Sequence, residues 1–222
     1  MKKPRVKICC ISSKREAELA ISYGASALGF VGPMPSGSGV IPDTLISDIV
    51  KTIPSSVNTF LLTSETTVEG IVSHHRKVKT STVQIVDALE DSAYRKLRVA
   101  LPGINLVQVI HVIDENSVIE AIEISENVDA LLLDSGNPNL PIKKLGGTGK
   151  VHDWSLSRKI KDSVKCPVYL AGGINSYNVV QALSVVEPFG VDLCSSVRTG
   201  NKLDEKKLKA FFSAVEKFNY SS

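Results

Sequence analysis

Val168-Tyr169-Leu170-Ala171-Gly172-Gly173-Ile174-Asn175 runs continuously apolar and then breaks at two glycines. Val191-Asp192-Leu193-Cys194-Ser195-Ser196-Val197 repeats the plan, with serines where the glycines stood. A short apolar run without polar alternation reads as a parallel strand buried on both faces. Working back toward the N-terminus, the same reading fits Ala130–Leu133, Leu106–Val112, Thr82–Val86, Val57–Leu62, Ala27–Val31 and Val6–Cys9, which makes eight runs. Amphipathic stretches separate them. Ser13 with Glu16 has the form of a capping box, and Ala17, Ala20 and Ile21 follow on one face. Pro42-Asp43, Asp114 and Asp153 open further helices. Leu208, Phe211, Phe212, Val215 and Phe218 then recur at steps of three and four. Eight strand–helix alternations predict a single (β/α)8 barrel over residues 1–222. A doubly wound open sheet is the alternative.

Composition narrows the function. The net charge of +3 comes from interspersed acids and bases, so no nucleic-acid face or polybasic membrane patch is expected. No apolar run approaches the roughly 18 residues that span a bilayer. The basic start Met1-Lys2-Lys3-Pro4-Arg5 is followed by too short an apolar stretch for a signal peptide. The four cysteines, Cys9, Cys10, Cys166 and Cys194, two of them adjacent, do not read as a disulfide framework in a chain this long, so a reduced, cytoplasmic protein is expected.

In a barrel of this kind the strand ends face the site. Gly172-Gly173 and Ser195-Ser196, on adjacent strands, can bring backbone N–H groups and helix N-termini close to an anion. Together they point to phosphate. Gly146-Gly147-Thr148-Gly149-Lys150 lacks the spacing of a P-loop and follows the long Asp134–Asp153 connection. It reads as a glycine-rich lid over the phosphate, with an ordinary flexible loop as the plain reading. Cys9 and Asp134 end their strands and could serve as base and acid, the thiol through a lowered pKa. A small core residue and a loop cap are the plain readings of the same two positions. Cys10 has the opposite parity and should pack toward the helices, as should Cys166 and Cys194. His74 and His75 are expected to be solvated and His111 structural. A metal site from Cys9, His111, Asp134 and Cys194 has no close ligand spacing behind it, and neither metal nor cofactor is expected.

At these residues the chain resembles the phosphoribosylanthranilate isomerase family of tryptophan biosynthesis. The likeness rests on Val6-Lys7-Ile8-Cys9, Ala27-Leu28-Gly29-Phe30-Val31, Leu131-Leu132-Leu133-Asp134-Ser135, Gly146–Lys150 with Asp153-Trp154-Ser155-Leu156, Leu170–Asn175 and Gly190-Val191-Asp192, in the family's order along nearly the whole chain. The resemblance implies an Amadori rearrangement of an N-phosphoribosyl arylamine, with Asp134 as acid and Cys9 as base and no cofactor. It also implies phosphate binding at Gly147, Gly172, Gly173, Ser195 and Ser196, and a pocket wall of Lys7, Ser38, Gln84, Val86 and Asn175. The partner is then a small phosphorylated sugar, and the enzyme a monomer or homodimer.

The chain departs from the family on one side. Ser38 stands where the family usually has the arginine that meets the anthranilate carboxylate. Val86-Asp87 replaces a His-Gly pair, Cys10 replaces a glycine, and Ser196 replaces a glycine of the eighth-strand turn. Arg198 adds positive charge there. Weak binding of anthranilate is therefore expected. A paralogue acting on another phosphorylated amino-sugar, and a phosphate-binding barrel without catalysis, are the competing readings.

Overall fold

A computed structural model describes residues 3–34, 39–136 and 151–218. Strands and helices alternate through it: β1 (Arg5–Ile8), α1 (Lys14–Ser22), β2 (Ala27–Val31), α2 (Asp43–Val50), β3 (Asn58–Thr63), α3 (Val68–Val78), β4 (Thr82–Ile85) and α4 (Asp91–Ala100). Then follow β5 (Asn105–His111), α5 (Asn116–Ser125), β6 (Ala130–Asp134), α6 (Trp154–Ser163), β7 (Val168–Leu170), α7 (Val179–Val186) and β8 (Gly190–Leu193). A 3-10 turn, Ser195–Val197, leaves β8. The short antiparallel pair β9 (Arg198–Thr199) and β10 (Lys202–Leu203) precedes α8 (Glu205–Glu216). The strands β1 to β8 lie in chain order in a closed parallel barrel, and β1 seals it by pairing with β8, Lys7 opposite Asp192. The open-sheet alternative is excluded by that closure.

Strand parity sorts the core into two layers. Ala27, Phe60, Val86, Val107, Val109, Ala130, Leu132, Tyr169 and Ala171 fill the barrel's interior. The alternate residues, such as Leu28, Leu61, Ile85, Ile110, Leu133 and Val191, pack against helix residues such as Ala20, Ile46, Leu97 and Phe211. Burial on both faces is why the strands read as unbroken apolar runs.

The caps are mostly as expected. The Ser13 side chain accepts from Glu16 N–H, and the Asp153 side chain from Ser155 N–H. Asp114 accepts from Asn116 N–H at 2.8 Å. Glu16 does not close the reciprocal half of a capping box. Its carboxylate takes Ser12 N–H and the Arg198 guanidinium instead.

Two expectations about side chains fail. His74 and His75 are buried. His74 lies between Thr63 Oγ1 at 2.9 Å and Asp43 Oδ1 at 3.0 Å, and His75 Nε2–H donates to Thr80 O at 2.7 Å. They share the inward face of α3 with Ile71 and Val78. Cys10 and Cys194 do not pack as free thiols but form a disulfide. Cys10 lies beyond the end of β1 with φ of 63°, in left-handed backbone, so strand parity no longer governs where its side chain points. Cys9 and Cys166 are free, and Cys166 packs against the outer core as expected.

Candidate active site

The site builds up from the barrel's interior at the C-terminal ends of the strands. Lys7, pointing inward from β1, is fully buried and donates from Nζ to Asp192 Oδ2 at 2.8 Å. Its ammonium also lies 5.2 Å from the centre of the Phe60 ring. Burial pulls the Lys7 pKa down, but Asp192, with Cys9 and Tyr169 adding to it, outweighs burial and the net direction is upward, so the lysine is held charged. Burial pushes the Asp192 carboxyl up and Lys7 opposes that. Asp192 Oδ1 is buried without a hydrogen-bond partner among the described residues. Lys7 was expected to line the pocket; it forms the floor beneath it, tied to Asp192. Sequence reasoning gave Asp192 no role, although a carboxylate at inward parity inside a buried strand is itself a signal of a paired or working group.

Cys9 stands two residues above Lys7, on the same face. Its thiol packs with Val31, Met34 and Leu62. A side chain on Gly29 would place its first carbon 2.9 Å from Cys9 Sγ and 3.1 Å from Lys7 Nζ, so the glycine on β2 makes room for both. The expected lowered thiol pKa is wrong in direction. Burial raises Cys9 to about 11, Asp192 adds to the rise, and Lys7 only partly opposes it. Asp134 ends β6 pointing inward, and its Oδ1 accepts from Ser135 N–H at 2.8 Å. Burial raises it to about 6; the Ser135 N–H opposes the rise and the charge of Asp192 adds to it. Cys9 and Asp134 thus both open onto the barrel interior and share the field of one ion pair.

The glycine turn after β7, expected to bind an anion, lies beside this floor. Gly172 and Gly173 have φ of 76° and 67°. A side chain at Gly172 would meet Ser135 N at 2.9 Å and His152 Nδ1 at 3.0 Å, so the turn after β7 packs directly on the end of β6. Asn175 was expected in the pocket wall, but its side chain holds the turn. Nδ2 donates to Gly173 O at 3.0 Å, and Oδ1 accepts from Tyr177 and Asn178 N–H. After β8, Ser195 is exposed and Ser196 Oγ is buried without a partner among the described residues. His152 Nδ1 is likewise unpartnered beside Gly172, and burial lowers that ring to about 4, which keeps it neutral. Arg198 does not add charge to the phosphate turn. Its guanidinium is committed to Glu16 and to Cys9 O and Cys10 O, at 3.1 and 2.5 Å.

The wall beyond β4 is different. Gln84 is buried inside the barrel with Oε1 unpartnered among the described residues, and Val86 sits above it. Next to Val86 opens a cavity of about 460 Å³, lined among others by Asp87, Val109, His111, Asp114 and Glu120. His111 Nε2–H donates to Val86 O at 3.3 Å, and burial lowers its pKa. Ser38 and Gly147, with the rest of Gly146–Lys150, lie outside the described residues. Among the described residues no cluster of three or more metal-ligating side chains exists, and no helix is long and apolar enough to cross a membrane.

Comparison with known proteins places this arrangement. The family model of N-(5'-phosphoribosyl)anthranilate (PRA) isomerase matches residues 6–214. The N-(5'-phosphoribosyl)anthranilate isomerase of Methanosarcina acetivorans is 34% identical, over 96% of this chain and 93% of its own. The phosphoribosylanthranilate isomerase structure from Thermotoga maritima superposes with a TM-score of 0.81 at 29% identity, covering 96% and 98%. Another solved isomerase, bound to reduced 1-(o-carboxyphenylamino)-1-deoxyribulose 5-phosphate, has a TM-score of 0.78 at 26% identity over the same shares. With a barrel closed in the same order and a matching sequence along almost its whole length, the chain belongs to the phosphoribosylanthranilate isomerase family.

Proposed function

We propose that Asp134 and Cys9 are the acid and base with which this isomerase rearranges phosphoribosylanthranilate in tryptophan biosynthesis. The observation that carries the assignment is the pair of inward-facing, proton-holding groups on β1 and β6. Both retain a proton more tightly than they would in water, and both border the Lys7–Asp192 pair. Asp134, raised to about 6, can donate a proton near neutrality. It protonates the ribose ring oxygen as the C1–O bond breaks, and C1 becomes an iminium carbon. Cys9 then removes the C2 proton, and those electrons form the C1–C2 double bond of an enolamine. Tautomerisation gives the 1-amino-1-deoxyribulose phosphate. No atom or electron is gained or lost.

A thiol at about 11 is mostly protonated at neutral pH, but the thiolate it yields is a strong base. The iminium cation arriving beside it acts in the same direction as the Lys7 ammonium and favours the thiolate. The backbone N–H groups at Gly173 and Ser195-Ser196, with the unpartnered Ser196 hydroxyl, receive the phosphate. Val86 and the cavity beside it border the aromatic amine. Complementation of a tryptophan auxotroph that lacks this isomerase tests the activity. Rescue is expected, with loss of rescue in Asp134→Ala. Failure of the unaltered chain to rescue, with phosphate binding intact, would instead favour a different amine or a non-catalytic barrel.

A further inference from the structure

Beside the base stand two cysteines that the chemistry above does not use. We propose that Cys10 and Cys194 form a thiol–disulfide exchange site whose oxidised state holds the Ser195-Ser196 turn in place for the substrate's phosphate. The inference rests on the phosphate role assigned to that turn. The bridge joins the loop after β1 to the residue from which the 3-10 turn Ser195–Val197 starts. It crosses the seam where β8 meets β1, and it reaches there beyond the last paired residues, Ile8 and Leu193.

Two contacts and a backbone conformation make this junction more than a staple. The Arg198 guanidinium, immediately after the turn, holds Cys9 O and Cys10 O from below. Gly39, in the loop before α2, lies close against Cys10: a side chain there would put its first carbon 2.5 Å from Cys10 Cβ. Cys10 itself is held in left-handed backbone, where a residue with a Cβ carries a conformational cost. The bridge thus fixes the β1 loop and the Ser195-Ser196 turn to one another. Opening it leaves the start of the turn held through the end of β8, while its far end stays tied by the buried Val197, whose O accepts from Asp204 N–H at 2.8 Å, and by Arg198.

The two sulfurs differ in access. Cys10 is buried, whereas Cys194 is partly open at the barrel mouth. Exchange therefore starts at Cys194. Its thiolate attacks a low-molecular-weight disulfide, one thiolate leaves, and a mixed disulfide remains on Cys194. The Cys10 thiolate attacks that sulfur, the Cys10–Cys194 bond forms, and the second thiolate leaves. Two protein thiols lose two protons and two electrons, and one external disulfide becomes two thiols. A low-molecular-weight dithiol reverses the sequence. Persistent bridges are uncommon in reducing compartments, where those that do occur are usually transient or regulatory.

The test uses the full chain after equilibration with a low-molecular-weight disulfide or with a dithiol. Denatured oxidised protein should titrate two thiols, Cys9 and Cys166, and reduced protein all four cysteines. Reduction should weaken the affinity for inorganic phosphate, and raise KM for phosphoribosylanthranilate, by roughly five- to tenfold, with kcat within about twofold, as expected when only preorganisation is lost. Cys194→Ser and Cys10→Gly should each fix phosphate affinity at the reduced value and remove its response to the redox buffer. Four titratable thiols after oxidation would overturn the proposal, as would phosphate affinity that ignores a change in thiol count, or variants that still respond. Phosphate affinity that follows the redox buffer in a chain without isomerase turnover would remove the reading of function and leave the bridge's role standing. Turnover with redox-indifferent phosphate affinity would do the reverse.

Discussion

The floor of the site and its wall beyond β4 are built on opposite principles. On the floor, Lys7, Asp192, Cys9 and Asp134 are all buried, and each feels the charge of another. Along the wall, Val86, Asp87 and His111 border an open cavity of about 460 Å³, and His111 Nδ1 has no partner among the described residues. A floor of mutually dependent charges tolerates no single change, because removing one member strands the others in low dielectric. A wall that borders open space can change one residue at a time, and each change should tune which amine fits. Two of the positions at which the chain departs from the family it resembles, Val86 and Asp87, fall on the wall side.

The largest effects should therefore come from the floor. Asp134→Ala and Cys9→Ala should each lower kcat by roughly 10² to 10⁴, the usual cost of a lost acid or base. A steady-state assay with phosphoribosylanthranilate checks this, and near-native turnover in either variant removes that residue from the chemistry. Next comes Lys7→Met, which leaves the Asp192 carboxylate buried and unpaired. It should cost about 3–5 kcal/mol of stability, and by removing a charge that holds Cys9 down it should raise the thiol's pKa further. Thermal unfolding and thiol titration read the two consequences separately. If Lys7→Met unfolds at the native temperature, the ion pair is not what fixes the floor.

Ser38, where the family resemblance expects an arginine, should respond more mildly and in a different parameter. Ser38→Arg restores a partner for the anthranilate carboxylate, and such pairing is worth about 2–5 kcal/mol. At about 1.4 kcal/mol per tenfold, KM should fall by at least roughly 30-fold with kcat little changed. A micromolar KM in the unaltered chain would show that another group already pairs the carboxylate and that Ser38 does not set the specificity.

The same contrast explains what the sequence made legible. The barrel was readable because burial on both strand faces leaves a pattern that local composition records. Cys9, Asp134 and the two turns were readable because they sit at strand ends. Asp192 was readable in principle, as an acid at inward parity in an apolar strand. So were His74 and His75, which stand at helical spacing between Ile71 and Val78. The Cys10–Cys194 bridge was not. Its halves are separated by 184 residues, and Cys10 turns into left-handed backbone that parity rules do not describe. Nor was the direction of the Cys9 shift, because it depends on whether burial or the Lys7 charge is stronger, and only packing decides that.

The smallest expected effect is the pH dependence, and its smallness is diagnostic. kcat/KM reports the protonation of the free enzyme, and productive encounter needs Asp134 protonated and Cys9 ionised. Asp134 holds its proton up to about 6, and Cys9 up to about 11. Above pH 6 each unit of pH cuts the protonated fraction of Asp134 tenfold and raises the thiolate fraction of Cys9 tenfold. The two changes cancel until Cys9 is itself ionised. The active form is then a constant small share of the enzyme, about one part in 10⁵ from the gap of five units between the two groups. Below pH 6 Asp134 gains nothing more while the thiolate keeps falling, so activity drops tenfold per unit. The substrate's phosphate also takes up its second proton near pH 6, so the informative range lies on the alkaline side. Between about pH 7 and 10, kcat/KM should vary by less than roughly twofold. A tenfold-per-unit fall setting in already above about pH 8.5 would mean that Cys9 ionises as an ordinary thiol, and that the Lys7 ammonium balances burial on the floor.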